Sequence, residues 1–501
     1  MYLLGLDIGS SSIKASLVDA ATGLALQTVK SPEKELPISA PQLGWAEQDP
    51  DVWWEHVCLA IRKLLSLSAV NPAEIKAIGI AYQMHGLVVI DKQHKVLRPS
   101  IIWCDSRASK FGEEAFSAIG EEACLNHLLN SPGNFTASKL KWVKDNEPHI
   151  YDQIYKIMLP GDYIAFRLTG EVLSTVSGLS EGVFWDFKTN TPSSALLDYY
   201  GFDPGVLPEL HPSFSLQGEL HQKAATETGL SVGTKVTYRA GDQPNNALSL
   251  NVLEAGEVAA TGGTSGVVYG VVDKPAFDTQ SRVNSFAHVN YTVENPMTGI
   301  LLCINGAGIQ YSWVKNYIAE SGISYADMEM LASGLEPGSE GLRILSFGNG
   351  AERIFGNKLL GSQINNLQLN IHQKQHIYRA ALEGIAFSFV YGVQILQDLG
   401  VDTKVIRAGN DNLFQSAIFS GTISNLLQSR IELIDTTGAI GAAKAAGVAI
   451  GYYASPGEAV GQNKTVKVYE PESNIVFHQN AYQKWLSDPN ALLDRKDDYV
   501  M

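Results

Sequence analysis

Cysteines and long apolar runs are scarce in this sequence. The four cysteines among 501 residues form neither a CxxC pair nor a metal-ligand spacing: Cys58, Cys104, Cys124 and Cys303. Reduced thiols are therefore expected, rather than a disulfide framework. No run of roughly 18 apolar residues occurs, so no membrane span is expected. The apolar start at residues 2–6 is interrupted by Asp7 and has no basic residues before it, unlike a signal peptide. These absences predict a cytoplasmic protein.

Basic residues are also few. The 37 Lys and Arg residues stand against 52 Asp and Glu, which gives a net charge of −15. Because non-specific nucleic-acid binding needs a basic surface that displaces counterions, nucleic acid is not expected as a partner. Hydrophobic residues make up 45% and charged residues 18%, as in ordinary globular proteins. A chain of 501 residues is too long for one core, so at least two domains are predicted.

Alternating apolar residues predict strands near the start of the chain, at 2–8, 13–20 and 24–30. A helix is predicted to begin after Asp49, a good N-cap, with Pro50 in its first position. Further strands are predicted at 75–82, 86–91 and 236–240. Periodic apolar residues predict helices at 376–399, 411–428 and 439–452.

Two short loops of similar composition each join two predicted strands. One follows Asp7 and carries Gly9, Ser10 and Ser11; the other is Thr261-Gly262-Gly263-Thr264-Ser265. An internal duplication explains the similarity, and chance likeness of two hairpins is the alternative. The sequence contains no Walker A motif, and no GxGxxG opens a helix near its start.

Both loops have the chemistry of a phosphate site. Glycine lets the backbone approach a phosphate, and amides and hydroxyls donate hydrogen bonds to its oxygens. Two such loops can hold the triphosphate of ATP, although either alone is also typical of a plain hairpin. Asp7 is predicted to hold Mg²⁺ through water. Lys14 either reaches a phosphate or is a solvated strand residue.

Asp242 follows a predicted strand and Gly241, which places its carboxylate where it can face a cleft. Phosphoryl transfer to a hydroxyl needs a positioned base that takes the proton. Asp242 is the candidate for that base. The alternative is that Asp242 only caps the helix that follows.

Several segments together resemble the FGGY family of carbohydrate kinases, in the family's order. One family signature resembles residues 135–146, and the second resembles 362–383. Two positions depart from the family pattern: Asn134 precedes the first signature, and Asn366 replaces a glycine inside the second. Residues 82–86 and 98–107 resemble the xylulokinase branch, in which a Met-His pair contacts the sugar.

The resemblance implies an α/β fold with two RNase H-like domains of the actin/hexokinase ATPase type, separated by a cleft. Each domain is expected to contain a mixed five-stranded sheet. The expected division is a sugar-binding domain at 1–248, an ATP-binding domain at 249–485, and a loosely ordered tail at 486–501.

The resemblance also implies an ATP- and Mg²⁺-dependent kinase that phosphorylates a ketopentose, with D-xylulose expected first. Ribulose, another ketose or a polyol is the alternative within this class, and a sensor without turnover is the alternative outside it. Glycerol kinases carry an Arg-Glu pair where Met84-His85 stand, which argues against glycerol. A homodimer is compatible with the family.

The resemblance assigns roles to individual residues. Asp242 is expected to be the general base and, with Asp7, to orient Mg²⁺ through water. The expected sugar contacts are Gln83, Met84, His85, Trp103, Asp105, Asn134 and Gln243. The expected ATP contacts are Asp7, Gly9, Ser10, Ser11, Lys14, Gly262, Gly263, Thr264, Ser265, Gly306, Gln310, Gly409, Asn410 and Asn412.

Overall fold

A computed structural model describes residues 1–494 and contains two large sheets. The first sheet has the five strands that the sequence predicts. Their order across the sheet is Lys235–Gly241, Ile75–Tyr82, Tyr2–Ile8, Ile13–Asp19 and Ala25–Ser31. The first three strands in this order are parallel, and the last two continue antiparallel. The carboxyl ends of the three parallel strands therefore meet at one edge.

The second sheet has seven strands, so the expectation of five was wrong here. Their order is Asn284–Ala287, Thr298–Ile304, Gly266–Val272, Glu257–Gly262, Val405–Gly409, Arg430–Ile434 and Thr465–Tyr469. The two additional strands lie at the edges. Thr465–Tyr469 is mostly exposed on both faces, so it lacks the apolar alternation that identifies a strand from sequence.

Five short strand pairs lie outside the two sheets. They are Glu47–Gln48 with Ser100–Ile101, Val88–Ile90 with Lys156–Met158, Leu173–Thr175 with Glu209–His211, Trp185–Asp186 with Thr191–Pro192, and Arg343–Phe347 with Gly361–Asn365.

Helices cover both sheets and fill the middle of the chain. In the first half they are Pro50–Ser68, Ser109–Ile119, Glu121–Leu128, Thr136–Asn146, Pro148–Tyr151, Pro160–Thr169, Val176–Glu181, Ser194–Tyr200, Gln222–Thr228 and Asp242–Ser249. In the second half they are Gly308–Tyr317, Tyr325–Ser333, Lys374–Asp398, Ala417–Leu427, Gly438–Ala449, Pro456–Gly461 and Val476–Leu493.

The helix Pro50–Ser68 shows how local sequence sets these elements. The Asp49 side chain accepts a hydrogen bond from the backbone N–H of Asp51, and Pro50 occupies the first turn. Trp53, Val57 and Ile61 recur on one face and are buried against the first sheet. The predicted start of this helix is confirmed.

One helix from the second half of the chain packs against the first sheet. Helix Gly438–Ala449 lies so close to two of its strands that only glycine fits at the contacts. A Cβ atom on Gly5 would lie 1.8 Å from the carbonyl oxygen of Ala439, and one on Gly79 would lie 1.9 Å from that of Ala442. This helix comes after residue 248, the predicted domain boundary, yet it packs against the sheet formed before that residue. It therefore joins the two halves of the chain.

Helix Lys374–Asp398 is long and apolar enough, by composition, to cross a membrane. However, 83% of its most apolar window is buried inside the protein, as expected for a core helix. It packs against the second sheet among the buried residues of that domain.

The loosely ordered tail expected from residue 486 is wrong for residues 486–493. They continue helix Val476–Leu493. The buried Trp485 donates its indole N–H to the Ile344 carbonyl at 3.0 Å, and Arg343 pairs with Asp488 at 2.7 Å. These contacts hold the helix against the second domain. Residues 495–501 lie outside the described range.

Candidate active site

Asp7 and Asp242 lie at the same edge of the first sheet. Ile8 pairs with Tyr82, and Tyr82 pairs with Gly241, so three parallel strands end side by side. The carboxyl edge of an open α/β sheet is where ligands usually bind. Asp242 is the first residue of the helix that follows its strand. The N-cap of this helix is Gly241 and no side chain forms a cap hydrogen bond, so the alternative that Asp242 only caps the helix was wrong.

Burial and neighbouring charge shift the pKa values of both carboxyl groups. Burial raises the pKa of Asp242 to about 7, and the charge of the nearby Asp7 carboxylate adds to this rise. Burial also raises the pKa of Asp7, although Lys14 opposes the rise. The Lys14 ammonium lies 3.7 Å from Asp7 Oδ2 and is half exposed. A carboxylate with a pKa near 7 suits general-base chemistry at neutral pH.

Two helices begin beside this carboxylate pair. A Cβ atom on Gly438, the first residue of helix Gly438–Ala449, would lie 3.2 Å from Asp7 Oδ2. Asn245, in the first turn of helix Asp242–Ser249, donates to the Gly438 carbonyl at 2.9 Å. Helix N-termini carry free N–H groups and partial positive charge, and both favour an anion such as phosphate.

The first loop turns tightly between its two strands. The Gly9 N–H donates to the Ser12 carbonyl at 3.1 Å. The Ser10 carbonyl accepts from Gln48 Nε2 at 2.7 Å, and its hydroxyl lies 3.3 Å from the indole nitrogen of Trp103. Trp103 is otherwise exposed, so the loop and this predicted sugar contact lie side by side.

Gln83, Met84 and His85 follow the strand that lies between those of Asp7 and Asp242. Met84 packs against Gly241, since a Cβ atom there would lie 2.6 Å from Met84 Cγ. His85 has a left-handed backbone with φ of 62°, which is uncommon for a residue other than glycine. Burial lowers the pKa of His85 to about 3, and the neighbouring Lys139 lowers it further, so the ring is neutral.

Lys139 belongs to the first family signature and is fully buried. Its ammonium donates to the carbonyls of His85 and Ile102 at 2.8 and 3.0 Å. Burial lowers the pKa of Lys139 to about 7, while the Asp105 carboxylate opposes this decrease. This lysine of the signature thus supports the turn that carries His85.

Asp105 is placed differently from the other predicted sugar contacts. Its carboxylate is fully buried, accepts the Ala46 N–H at 2.5 Å and forms a bidentate pair with Arg107. Asn134 donates to the Asp105 backbone carbonyl, and the side-chain oxygen of Asn134 is buried without a partner. Asp105 therefore organises this loop with both oxygens already engaged, whereas Asn134 keeps a free acceptor.

The second loop lies at the mouth of a cavity of about 850 Å³. Helix Gly308–Tyr317 begins against the loop, and the N–H groups of Gly308 and Ile309 donate to the carbonyls of Gly263 and Thr264 at 2.9 and 3.1 Å. Asn246, one turn after Asp242, lies 3.3 Å from the Thr261 hydroxyl. The second loop therefore contacts both the cavity and the helix that begins at Asp242.

Only part of the predicted nucleotide set lines that cavity. Gly262, Gly263, Thr264 and Asn412 do. Asn412 Oδ1 accepts the Gly262 N–H at 3.3 Å.

Gly306 and Gln310 are engaged elsewhere. Gly306 is buried: a Cβ atom there would lie 1.6 Å from the Ser346 carbonyl oxygen. Gln310 Oε1 accepts from the Ser362 hydroxyl at 2.7 Å. Gly409 and Asn410 lie just before the Asn412 turn and are not among the cavity residues.

Several residues beside the predicted nucleotide and sugar sites were not predicted from the sequence. The cavity is also lined by Tyr311, Ser312, Tyr325, Glu329, Gln415, Ser416 and Lys467. On the sugar side, Glu181 is fully buried and contacts His85. The only local signal for Glu181 is a lone acidic residue in a helix that otherwise contains small and apolar residues, Val176–Glu181. No sequence motif connects the cavity residues, because they come from separate helices, a turn and a strand that only the folded chain brings together.

Comparison with known proteins agrees with this geometry. A model of the FGGY family of carbohydrate kinases, N-terminal domain, matches residues 2–249. A xylulose kinase from Lactococcus lactis subsp. lactis is 32% identical over 397 residues, which cover 77% of this chain and 75% of that protein. The chain belongs to the FGGY family of carbohydrate kinases. It is a phosphotransferase that uses ATP and an alcohol group as acceptor, as the sequence resemblance implied.

Two other relatives cover almost the whole chain. A glycerol kinase from Thermococcus gammatolerans is 28% identical over 494 residues, covering 97% of this chain and 96% of that protein. The crystal structure of xylulose kinase from Rhodospirillum rubrum has a TM-score of 0.87 at 25% identity, with 98% of this chain and 99% of that chain covered. The expected two-domain α/β fold is confirmed.

Proposed function

We propose that this carbohydrate kinase transfers the γ-phosphate of ATP to a hydroxyl of D-xylulose and forms D-xylulose 5-phosphate. The observation that carries the proposal is the contact between Met84 and Gly241, which puts the Met84–His85 pair directly beside Asp242. The names of several relatives, among them the Lactococcus lactis protein, favour a pentulose over other sugars.

Asp242 is the proposed general base. The sugar hydroxyl gives its proton to the Asp242 carboxylate as its oxygen attacks the γ-phosphorus, and ADP leaves on the opposite side. The pKa of about 7 caused by burial and by Asp7 makes this carboxylate a stronger base than an exposed aspartate. Gln243, which hydrogen-bonds the Asp242 carboxylate, orients it and is the proposed neighbouring sugar contact.

The triphosphate is proposed to lie between the two loops. Amides at 10–11 and 263–265 donate to its oxygens, while Gly9 closes the turn of the first loop, and Lys14 adds a positive charge beside Asp7. The nucleoside part occupies the cavity behind the second loop, where Asn412 supports the Gly262 amide. Closing the two halves around both substrates would exclude water, which otherwise competes as the acceptor.

The carboxylate pair fits a divalent cation. Burial raises the pKa of both carboxyl groups, and the charge of Asp7 raises that of Asp242 further, so a nearby positive charge would stabilise the ionised pair. Within residues 1–494, no group of three or more His, Cys, Asp or Glu side chains forms a metal cage. This suits Mg²⁺, which keeps several waters and uses substrate phosphates as ligands. Asp7 and Asp242 would hold Mg²⁺ through water, and the ion would offset charge on the β- and γ-phosphates.

Another ketose or a polyol is the second candidate substrate. Asn134 departs from the family pattern and has a buried, unpartnered oxygen next to the sugar loop. The glycerol kinase relative covers nearly the whole chain, although the Met84–His85 pair differs from the Arg-Glu pair expected of glycerol kinases. A sensor without turnover is the weaker alternative, because it leaves the buried, basic Asp242 without a role.

We also propose that the protein acts in the cytoplasm and forms a homodimer.

The test is ADP release by the purified protein with Mg-ATP and a panel of D-xylulose, D-ribulose, D-xylose, glycerol and xylitol. We expect D-xylulose to give the highest kcat/KM and the mixture without sugar to release little ADP. A higher kcat/KM for ribulose or glycerol would contradict the xylulose assignment and retain the kinase. ATP binding without turnover of any sugar would favour the sensor.

A further inference from the structure

Glu181 is a buried acidic residue in contact with His85 and Gly241. Burial raises the pKa of its carboxyl group well above the ordinary value, and the charge of Asp242 adds to this rise. Glu181 ends helix Val176–Glu181 and is only 1% exposed. Its Oε1 atom accepts the backbone N–H of His85 at 3.3 Å. Its Oε2 atom has no hydrogen-bond partner and lies against Gly241, where a Cβ atom would come within 2.3 Å.

The backbone of Glu181 determines the tautomer of His85. The Glu181 carbonyl lies 2.9 Å from Nδ1 of the imidazole. A carbonyl oxygen can only accept a hydrogen bond, so Nδ1 carries the proton and Nε2 carries a lone pair. No residue in the range 1–494 forms a hydrogen bond with Nε2. The ring therefore has one acceptor left for a ligand.

The same contacts hold His85 in its unusual turn. A residue with a side chain and φ of 62° persists only where its surroundings fix it. Lys139 binds the His85 carbonyl, and the Glu181 carboxylate binds the His85 N–H. The rings of Phe135 and Phe286 pack against the imidazole, with centroids 4.8 and 5.4 Å away. Because Phe135 and Phe286 contribute no polar atom, Glu181 supplies two of the polar contacts that orient His85.

We propose that Glu181 is a positioning residue of the sugar site. Its carboxylate holds the turn of His85, and its carbonyl holds the Nδ1–H tautomer, so that Nε2 accepts a hydrogen bond from a hydroxyl of the bound sugar. The ligand class is a polyhydroxylated ketose with a hydroxyl donor at this point. This inference rests on the proposed function, because it takes the sugar to lie against His85.

Three variants separate the parts of this proposal. Glu181→Gln keeps an oxygen that can accept the His85 N–H. Glu181→Met has a similar length but offers no acceptor there. Ser180→Ala is the matched control: Ser180 is buried in the same helix and accepts the Ala287 N–H at 3.0 Å, but it forms no hydrogen bond with His85.

We expect Glu181→Met to raise KM for the preferred sugar by roughly tenfold to a hundredfold, the range for leaving a buried donor, here the His85 N–H, without a partner. The KM for ATP should stay within about twofold, because Glu181 lies on the sugar side. Glu181→Gln should restore most of the sugar affinity. Ser180→Ala should lower the melting temperature and leave the ratio of the two KM values unchanged.

The proposal is overturned if Glu181→Met leaves the sugar KM unchanged, or if Glu181→Gln is as impaired as Glu181→Met. A second measurement does not depend on turnover. Long-range ¹H–¹⁵N spectra of protein with ¹⁵N-labelled histidine, with His85 assigned by its loss in His85→Gln, should show a neutral Nδ1–H ring. A ring protonated at Nε2 contradicts the proposal. Wild-type protein that phosphorylates no sugar contradicts the proposed function instead, and the spectra still decide the tautomer.

Discussion

Around His85 the polar groups are buried and mostly paired, with Glu181 Oε2 and Asn134 Oδ1 left without a partner, whereas several polar side chains around the second loop are exposed. Lys139, Asp105 and Glu181 are all shielded from solvent on the sugar side. On the nucleotide side, Thr264, Gln415 and other side chains line a wide cavity. A rigid, prearranged set of partners rejects the wrong ligand because buried groups would be left unpaired.

This difference indicates where selectivity resides. The sugar side is expected to discriminate strongly, since each wrong hydroxyl breaks a fixed hydrogen bond. The nucleotide side binds phosphate through backbone amides, which are the same for every nucleoside triphosphate. Asp242 belongs to the sugar side because Gly241, the residue before it, lies against Met84 and Glu181.

Replacing the base should have the largest effect. Asp242→Asn is expected to lower kcat about 10³-fold, within the range for loss of a general base, while the protein remains folded. Steady-state ADP release and thermal melting measure both quantities. Asp145→Asn, which removes an exposed carboxylate paired with Lys141, is the control and should retain wild-type turnover. A kcat for Asp242→Asn within tenfold of wild type would contradict the role of Asp242.

The rate should depend on pH through the same residue. The base works only when ionised, and the pKa of Asp242 is about 7 in the free protein. The quantity kcat/KM is therefore expected to be constant above about pH 8 and to fall about tenfold per pH unit below pH 6.5. A profile from pH 5 to 9 tests this. A flat profile down to pH 5 would mean that the base titrates as an ordinary aspartate.

Replacing Asn412, on the nucleotide side, should reduce activity less than replacing Asp242. Asn412→Ala removes the acceptor of the Gly262 and Phe414 N–H groups and keeps φ of 54°, which suits alanine poorly. We expect KM for ATP to rise about fivefold and KM for the sugar to stay constant.

Two variants serve as controls for this change. Asn412→Gly relaxes the backbone and should lie closer to wild type. Asn490→Ala changes an exposed side chain of helix Val476–Leu493, outside the predicted site, and should alter neither KM. An equal rise in the KM values for ATP and for the sugar in Asn412→Ala would contradict the separation of the nucleotide side from the sugar side.

The smallest effect is expected at Lys14. Its ammonium is half exposed and lies 3.7 Å from Asp7, so solvent screens much of the interaction. Lys14→Met should lower kcat/KM less than about threefold at pH 8. The loss should be larger at pH 6.5, because removing the positive charge raises the pKa values of Asp7 and Asp242. A loss above a hundredfold at both pH values would instead make Lys14 a direct phosphate ligand.

The parts of the molecule that local sequence determines were predictable. The strands at the start of the chain alternate apolar residues, and Asp49 with Pro50 marks a helix start; both are observed as predicted. The two loops are short and close their own hairpins, so their place at strand ends follows from sequence.

Long-range contacts were not predictable in the same way. Edge strand Thr465–Tyr469 has no apolar face of its own. Glu181 reaches His85 across 96 positions of the chain. Asp105 matches a family block, yet its carboxylate pairs internally with Arg107, which only the folded arrangement reveals. The site assignments that rest on the family resemblance, including Trp103 and Asn410, stay predictions.

The division between the two sides is tested most directly by crossing sugars with nucleotides. We would measure kcat/KM for D-xylulose, D-ribulose and glycerol, each with ATP, GTP and ITP. We expect kcat/KM to differ by at least about a hundredfold among the sugars and by less than about tenfold among the nucleotides. A wide spread among nucleotides with little difference among sugars would contradict it, and would place selectivity in the cavity behind the second loop.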